Sequence, residues 1–269
     1  MDLKKNLKDH KISLKRSLGQ NFLLNKNISS KILNYCALTN NDTVIEIGVG
    51  AGILTELLLR RARKVIAYEI DKSLDPLISP LKKYENLQLL FQDFLKADLS
   101  HLQVDGDLYF VANVPYYITS PIIEKIMFDS PPFKEALLMV QKEYADRLLA
   151  KPGTKTYGAL TVSISAFSKV TKLFDVSKKN FVPVPGVDSS VIKLEPLTSP
   201  KISYEEKSQF RAFVRSSFAQ RRKKLKNNLK RLIRDVEEFL KDAGLSENIR
   251  AEELSTDTFI DLYHMMKRW

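Results

Sequence analysis

"EIGVGAGILTELLL", residues 46–59, is the stretch on which the fold turns. A β-rich run, TVIEI (43–47), flows into Gly48, Gly50 and Gly52, and these open a helical apolar pattern. Glycine accepts left-handed backbone and lets a ligand approach the main chain, so a strand, a glycine turn and a helix in succession suit a nucleotide-type ligand. The spacing is G-x-G-x-G rather than the dinucleotide G-x-G-x-x-G, so phosphate is not required. A mere packing turn is the bland alternative.

Working outward, short strand patterns recur at 64–70, 87–92, 108–112, 136–140, 171–176 and 189–195, with helical or loop stretches between them. Their near-continuous apolar runs predict strands buried on both faces. The expected fold class is therefore α/β: a seven-stranded, mostly parallel sheet with helices on each side. SPIIEKIMFD (120–129) reads as a helix with a Ser cap and Pro at its first position. The last two strands are joined by SKKNFVPVPGVD (177–188) with no helix, so they are candidates for a closing antiparallel pair. The Pro- and Ser-containing EPLTSPKISYEE (195–206) sets a boundary near residue 200. This divides the chain into a binding domain, 1–200, with a basic N-terminal arm, and an all-helical domain, 201–269, in which one helix closes on Gly244.

The chain has 269 residues, 44% of them apolar, and a net charge of +11. That excess favours a polyanionic partner or an anionic surface. It is concentrated in two blocks: residues 1–35 hold eight Lys/Arg against two Asp, and residues 211–234 hold ten Lys/Arg and no acid. In the second block Phe210, Phe213, Val214, Phe218, Leu225, Leu229 and Leu232 recur at helical spacing, predicting two helices with basic outer faces. Arg221, Arg222, Lys223 and Lys224 are the candidate nucleic-acid contacts, against the alternative of a solvated charged face. No run approaches the ~18 apolar residues of a membrane span. The N-terminus lacks an apolar signal core, and the lone Cys36 leaves no internal disulfide or cysteine metal cluster. His10, His101 and His264 have no ligand spacing, so no metal is expected. A soluble cytoplasmic protein follows from these features, and no feature calls for more than a monomer.

Two acids sharpen the glycine turn. Glu69 ends the next strand, where a carboxylate can accept from a ribose diol, and Asp93 follows the strand after that, where it can accept from an adenine amino group. Each alone could be a helix cap or a solvated loop acid. Ligands of open parallel sheets bind at the carboxyl ends of the strands, and all three features converge there. The next strand delivers FVANVPYYITSP (110–121) to the same edge. Asn113 offers an amide, Pro115 has no N–H, and Tyr116 offers a flat face. Together they suit a planar ring bearing an exocyclic amine: the Asn113 oxygen and a main-chain carbonyl accept its protons, and Tyr116 stacks on the ring. The amine lone pair is then free to attack a sulfonium methyl by in-line displacement, with no covalent enzyme intermediate. A packed Asx-turn is the alternative.

Asn-x-Pro-Tyr after this strand is similar to the signature of amino-group methyltransferases that use S-adenosylmethionine. More narrowly, the chain resembles the small-subunit ribosomal RNA adenine dimethyltransferases (KsgA type). SLGQNFLLN (17–25), EIGVGAG (46–52), NVPYYITSP (113–121), FVPVPGVDSSV (181–191) and SFAQRRKKLKNNL (217–229) carry the resemblance. Val114 departs from the usual Leu or Ile, at a position that only spaces the backbone. The resemblance implies a class I, Rossmann-like methyltransferase domain. It implies that Asn21 and Leu23 close over S-adenosylmethionine, that Gly48 and Gly50 face it, and that Glu69, Asp93 and Asn113 bind it. It also implies that Asn113, Pro115 and Tyr116 hold the target adenine and that Phe181 stacks on its other face, since an adenine taken out of its stack needs a replacement. The implied reaction is N6-dimethylation of two adjacent adenosines in the 3′-terminal hairpin of small-subunit rRNA, within a pre-ribosomal particle. A large-subunit rRNA adenine methylase of the macrolide-resistance type, a DNA adenine methylase and a non-catalytic ribosome-assembly factor are the competing readings.

Overall fold

The computed structural model describes residues 7, 9–15 and 18–269. Of the basic N-terminal segment, Lys4, Lys5, Lys8 and Arg16 lie outside the described residues, as does Ser17 of the first motif.

The strands among the described residues are β1 (Phe22–Leu23), β2 (Thr43–Ile47), β3 (Lys64–Glu69), β4 (Leu87–Phe91), β5 (Leu108–Asn113), β6 (Glu135–Gln141), β7 (Ser168–Val176), β8 (Phe181–Val182) and β9 (Ser189–Pro196). Seven of them make one sheet in the order β4-β3-β2-β5-β6-β9-β7. β4 through β6 in that order are parallel, and β9 runs antiparallel to β6. β2, β5 and β6 are almost wholly buried, as their unbroken apolar runs require. The chain winds from β2 to β3 and β4 on one side, then crosses back to place β5 on the other side of β2. That reversal between β2 and β5 opens a crevice at the carboxyl ends of the strands. Ile47 pairs with both Tyr68 and Ala112, so the residues that follow these three, Gly48, Glu69 and Asn113, reach one edge together. β1 and β8, which no strand pattern in the sequence marks, pair antiparallel as a separate two-stranded sheet.

The helices whose bounds lie among the described residues are α1 (Lys26–Asn34), α2 (Ile53–Leu59), α3 (Asp75–Ile78), α4 (Thr119–Asp129), α5 (Lys142–Leu148), α6 (Ala159–Ser165), α7 (Lys207–Ser217), α8 (Leu225–Leu229), α9 (Val236–Asp242) and α10 (Thr256–Met266). α2 leaves Gly52, whose φ of 75° starts the helix with no side-chain cap. The cap of α4 is Ile118, two residues before the expected Ser120, because Thr119 already turns its hydroxyl back to the Tyr116 carbonyl at 3.1 Å. α9 ends as expected, with Gly244 at φ 68°.

The chain forms two compact units, Met1–Ala145 with Thr171–Pro196 and Asp146–Val170 with Leu197–Trp269. The second is helical, but it also takes in residues 146–170, which lie on the sheet side of the boundary expected near residue 200. The reason is packing: α6 lies against α7 and α10. The second unit centres on edge-to-face rings, Phe210 with Tyr263 at 5.5 Å and Phe213 with Phe259 at 6.5 Å. In the basic block Leu225 and Leu229 are buried as expected, but Leu232 is 49% exposed and Ile233 is buried in its stead. The five-residue α8 ends at Leu229, and the following turn, with Ile233 N–H donating to the Leu229 carbonyl, rotates Leu232 outward.

Candidate active site

At the carboxyl edge of the first unit lies a cavity of about 230 Å³. Its floor is the glycine turn. Gly48, Gly50 and Gly52 all have positive φ, at 81°, 57° and 75°, a conformation that side chains strain against. A Cβ built on Gly48 would meet only the Asn113 carbonyl, at 3.9 Å, so a side chain there would project into the cavity. A Cβ on Gly50 would strike the Phe22 ring at 2.9 Å.

Glu69 is buried at the end of β3. One of its carboxylate oxygens accepts from Gly50 N–H at 3.0 Å and the other from Asp71 N–H at 2.9 Å. Burial raises its pKa, and these two backbone bonds offset only part of the rise. The carboxylate thus ties the glycine turn to the end of β3 while still lining the cavity. Asp93 also lines it, and its Oδ1 accepts from Leu95 N–H at 3.0 Å, capping the turn at Phe94–Lys96. The helix-cap alternative for Asp93 is therefore real and coexists with its place in the cavity.

On the other side of the crevice the Asn-x-Pro-Tyr loop is fixed by its own bonds. Asn113 Nδ2 donates to the Asn21 carbonyl at 3.0 Å. With the amide nitrogen engaged, Oδ1 is the atom left to accept from a ligand. The Pro115 carbonyl accepts from Ile118 N–H at 3.1 Å, and the Tyr116 carbonyl from Thr119. The Tyr116 hydroxyl shares a 2.7 Å hydrogen bond with Ser189 Oγ at the start of β9, which holds the ring in place. Burial raises the pKa of that hydroxyl. Tyr117, 57% exposed, packs its ring on Gly19, where a Cβ would come within 3.0 Å of it.

The arrangement offers a glycine cradle with an acid at each of the next two strand ends, and beside it an amide oxygen and a held aromatic ring. It fits a nucleoside-like donor next to a planar amine. Comparison with known proteins agrees. Residues 11–268 match the model of the ribosomal RNA adenine dimethylase family. The chain belongs to the ribosomal RNA adenine dimethylase family.

Among relatives, it is 44% identical over 263 residues to a protein of Thermotoga petrophila named ribosomal RNA small subunit methyltransferase A, covering 97% of this chain and 95% of the relative. A protein of the same name from Geobacillus sp. is 40% identical over 274 residues, covering 97% and 94%. Among solved structures, a dimethyladenosine transferase from Plasmodium falciparum superposes with a TM-score of 0.75 at 31% identity, covering 90% of this chain and 95% of that one. The 23S rRNA methyltransferase ErmE superposes with a TM-score of 0.69 at 27% identity, covering 91% and 99%. The fold is thus that of class I methyltransferases, and the cofactor of this family member is S-adenosylmethionine.

Of the residues expected from the dimethylase motifs, Asn21, Gly48, Gly50, Glu69, Asp93, Asn113, Pro115 and Tyr116 all line the one cavity. Two do not. Leu23 is buried in register with Phe181 across the β1–β8 pair, and it borders a smaller void of about 40 Å³ behind the glycine turn. Phe181 itself has no exposed surface; it lies in the apolar core and not at the cavity. The FVPVPGVDSSV motif reaches the site through Ser189 instead, by anchoring Tyr116. Sequence reasoning does not single out Phe22, whose ring lines the cavity against Gly50, or Asp71, two residues after Glu69. The available signal for Phe22 is its place beside Asn21; for Asp71 it is a second acid facing a basic arm.

Within the second unit, Arg221 and Lys224 are already engaged. Arg221 Nε donates to Glu252 at 2.8 Å, and Lys224 donates to Asn248. Arg222 and Lys223 are exposed, and among the described residues no hydrogen bond or ion pair engages their side chains.

Proposed function

We propose that this family member dimethylates N6 of two adjacent adenosines in the 3′-terminal hairpin of small-subunit rRNA, acting on a pre-ribosomal particle in the cytoplasm as a monomer. The observation that carries the reading is the orientation of Asn113: its nitrogen is tied to the Asn21 carbonyl, so its oxygen is left for an amine beside the glycine cradle. The relatives' shared name, ribosomal RNA small subunit methyltransferase A, supports the choice of subunit.

In this reading Glu69 accepts from the ribose hydroxyls and Asp93 from the adenine amino group of S-adenosylmethionine, which supplies an electrophilic methyl. Gly48 leaves room beside Asn113 for its methionine portion. The target adenine lies against the Tyr116 ring, which Ser189 holds in advance, so little ordering is left to be done on binding. Asn113 Oδ1 and the Val114 carbonyl accept the two N6 protons; the Pro115 and Tyr116 carbonyls are occupied by Ile118 and Thr119. Holding both protons draws the nitrogen lone pair out of conjugation and aims it at the methyl carbon. With S-adenosylmethionine bound, the methyl would pass to N6 as its bond to sulfur breaks, the sulfur keeping the electron pair, and one N6 proton would be released to solvent. Arg222 and Lys223, with the basic N-terminal segment, bind rRNA phosphates.

The test supplies labelled S-adenosylmethionine to undermethylated small subunits, mature large subunits and duplex DNA in parallel. Label in small subunits and dimethyladenosine in their digested rRNA is the expected result. Label confined to large subunits would favour the activity named for ErmE, and no label in small subunits refutes the proposal.

A further inference from the structure

We infer that Asp71 is a positioning residue that latches the N-terminal segment over the cavity and so sets the orientation of Asn113. Asp71 is 2% exposed, yet its carboxylate gathers donors from a segment more than fifty positions earlier. Lys15 Nζ donates to Oδ1 at 2.6 Å and Gln20 Nε2 to Oδ2 at 2.7 Å. Ser73 adds its N–H at 3.1 Å and its hydroxyl at 2.7 Å, both to Oδ1. Burial alone would raise the pKa of this carboxyl; the bonds from Lys15, Ser73 and Gln20 outweigh it and hold the pKa at about 2. The latch is therefore charged across the working range of pH.

From Asp71 the network runs both ways. Through its own N–H it binds Glu69, whose other oxygen holds Gly50, the floor of the cavity. Through Gln20 it holds residues 18–21, which form one wall. Lys15 N–H donates to Gln20 Oε1 at 2.7 Å, closing a loop between the two residues that reach Asp71. Next along that wall, Asn21 turns its amide nitrogen to the Gly19 carbonyl at 3.0 Å and offers its own carbonyl to Asn113 Nδ2. Gly19, at φ 60°, has the Tyr117 ring on its far side, close enough that a Cβ there would come within 3.0 Å of it. The wall is thus fixed by the Asp71 carboxylate at one side and the Tyr117 ring at the other. Charge-assisted hydrogen bonds are the strong ones, and a preorganised acceptor loses its advantage when its support is loose. With the latch released, Asn21 no longer presents a fixed carbonyl, and the Asn113 amide is free to turn its nitrogen toward the amine it should receive.

This inference rests on the proposed roles of Glu69 and Asn113, so its test includes readouts that do not. Asp71→Asn keeps the size of the side chain and removes its charge. Hydrogen exchange of the free protein is followed at the amides of residues 18–22 and, as a reference, of β2 and β5. S-adenosylmethionine affinity is measured by calorimetry, and single-turnover methyl transfer to undermethylated small subunits at saturating cofactor. The expected outcome is exchange at least about 10-fold faster in residues 18–22 with β2 and β5 unchanged, and a single-turnover rate lower by about 10-fold or more, the worth of one charge-assisted bond. Gln20→Ala loosens the same amides, and adding it to Asp71→Asn changes little further. Wild-type exchange in residues 18–22 in both variants, or a turnover equal to wild type, overturns the inference. If Asp71→Asn unfolds the whole chain, Gln20→Ala alone decides the outcome by the same two readouts. If the wild-type protein methylates no small subunits, the proposed function fails, while the exchange data still report on the latch.

Discussion

Glu46 sits in the middle of β2 with no exposed surface, and neither of its carboxylate oxygens has a hydrogen-bond partner among the described residues. Ser29 Oγ and Thr55 Oγ1 are likewise buried without such partners, and Ser29 and Glu46 both border the void of about 40 Å³ behind the glycine turn. Burial pushes the Glu46 carboxyl up to about 8, and the Glu69 charge adds to the rise. The sign of the consequence follows from proton linkage. Below pH ~4.5 the group is protonated in folded and unfolded chains alike and costs nothing. As pH rises toward 8 the unfolded chain gives up the proton while the folded chain keeps it, so stability falls. Above about 8 both are ionised and the loss levels off. At ~1.4 kcal/mol per pH unit, the full loss is on the order of 5 kcal/mol. Glu46→Gln is close in shape and cannot ionise, so it lacks this loss. Thermal unfolding of both proteins, followed by circular dichroism from pH 5 to 9, should show the variant gaining on the wild type as pH rises, by on the order of 10 °C in Tm at the top of the range. Titrating groups that are not coupled to Glu46 contribute equally to both curves and cancel in the difference; the Glu69 coupling is lost with the Glu46 charge and is part of the measured gain. Parallel curves would refute the reasoning and mean that Glu46 ionises in the folded state as easily as in water.

Four further outcomes are expected. Asn113→Ala should lower turnover by ~10²–10³ while cofactor affinity stays near wild type, as for loss of a preorganised polar contact; an equal loss of cofactor affinity by calorimetry would contradict its role. Tyr116→Ala should weaken substrate RNA binding by ~1–3 kcal/mol, the worth of a base stack, whereas Tyr116→Phe, which loses only the Ser189 bond, should cost about 1 kcal/mol or less in the same assay. Neutralising Arg222 and Lys223 should flatten the salt dependence of RNA binding, its slope falling by about 0.7 for every phosphate that is no longer neutralised; an unchanged slope would make the block a solvated face. Acidification should weaken cofactor binding at a pH above the ordinary glutamate range, because the pKa of Glu69 is raised by burial, and Glu69→Gln should remove that dependence.

Periodicity carries most of the fold because the central strands β2, β5 and β6 are buried on both faces; β4 and β7 are only half-buried along most of their length. An unbroken apolar run such as LYFVA has few other places to go, and all seven strands of the main sheet lie where the runs predict them. What the runs do not encode is pairing between short segments. β1 and β8 are two residues each, and they are strands only because distant backbone groups meet: Phe22 opposite Val182 and Leu23 opposite Phe181. The inclusion of residues 146–170 in the helical unit is of the same kind, since it depends on which faces α6 finds after the chain has folded.

The site divides along the same line. Gly48, Glu69, Asp93 and Asn113 are legible because each follows or ends a strand, and strand ends of a parallel sheet share an edge by construction. Phe181 is not brought to the cavity, and an aromatic residue in a motif gives no sign of which way its ring turns. Here it is opposite Leu23 in a buried ladder, and the core gains about 1.5–3 kcal/mol by covering a ring of that size. The motif still serves the cavity, but through a hydroxyl, Ser189, that carries no periodic signal. Asp71 illustrates the converse. Asp71 accepts from Ser73 N–H, as the cap of the short turn that follows it would. Its remaining acceptor capacity is taken up by Lys15 and Gln20, and from there the Asn113 amide is oriented. A residue whose bonds satisfy a local turn can in this way also hold the two halves of a site together, and only the long-range partners reveal the second role.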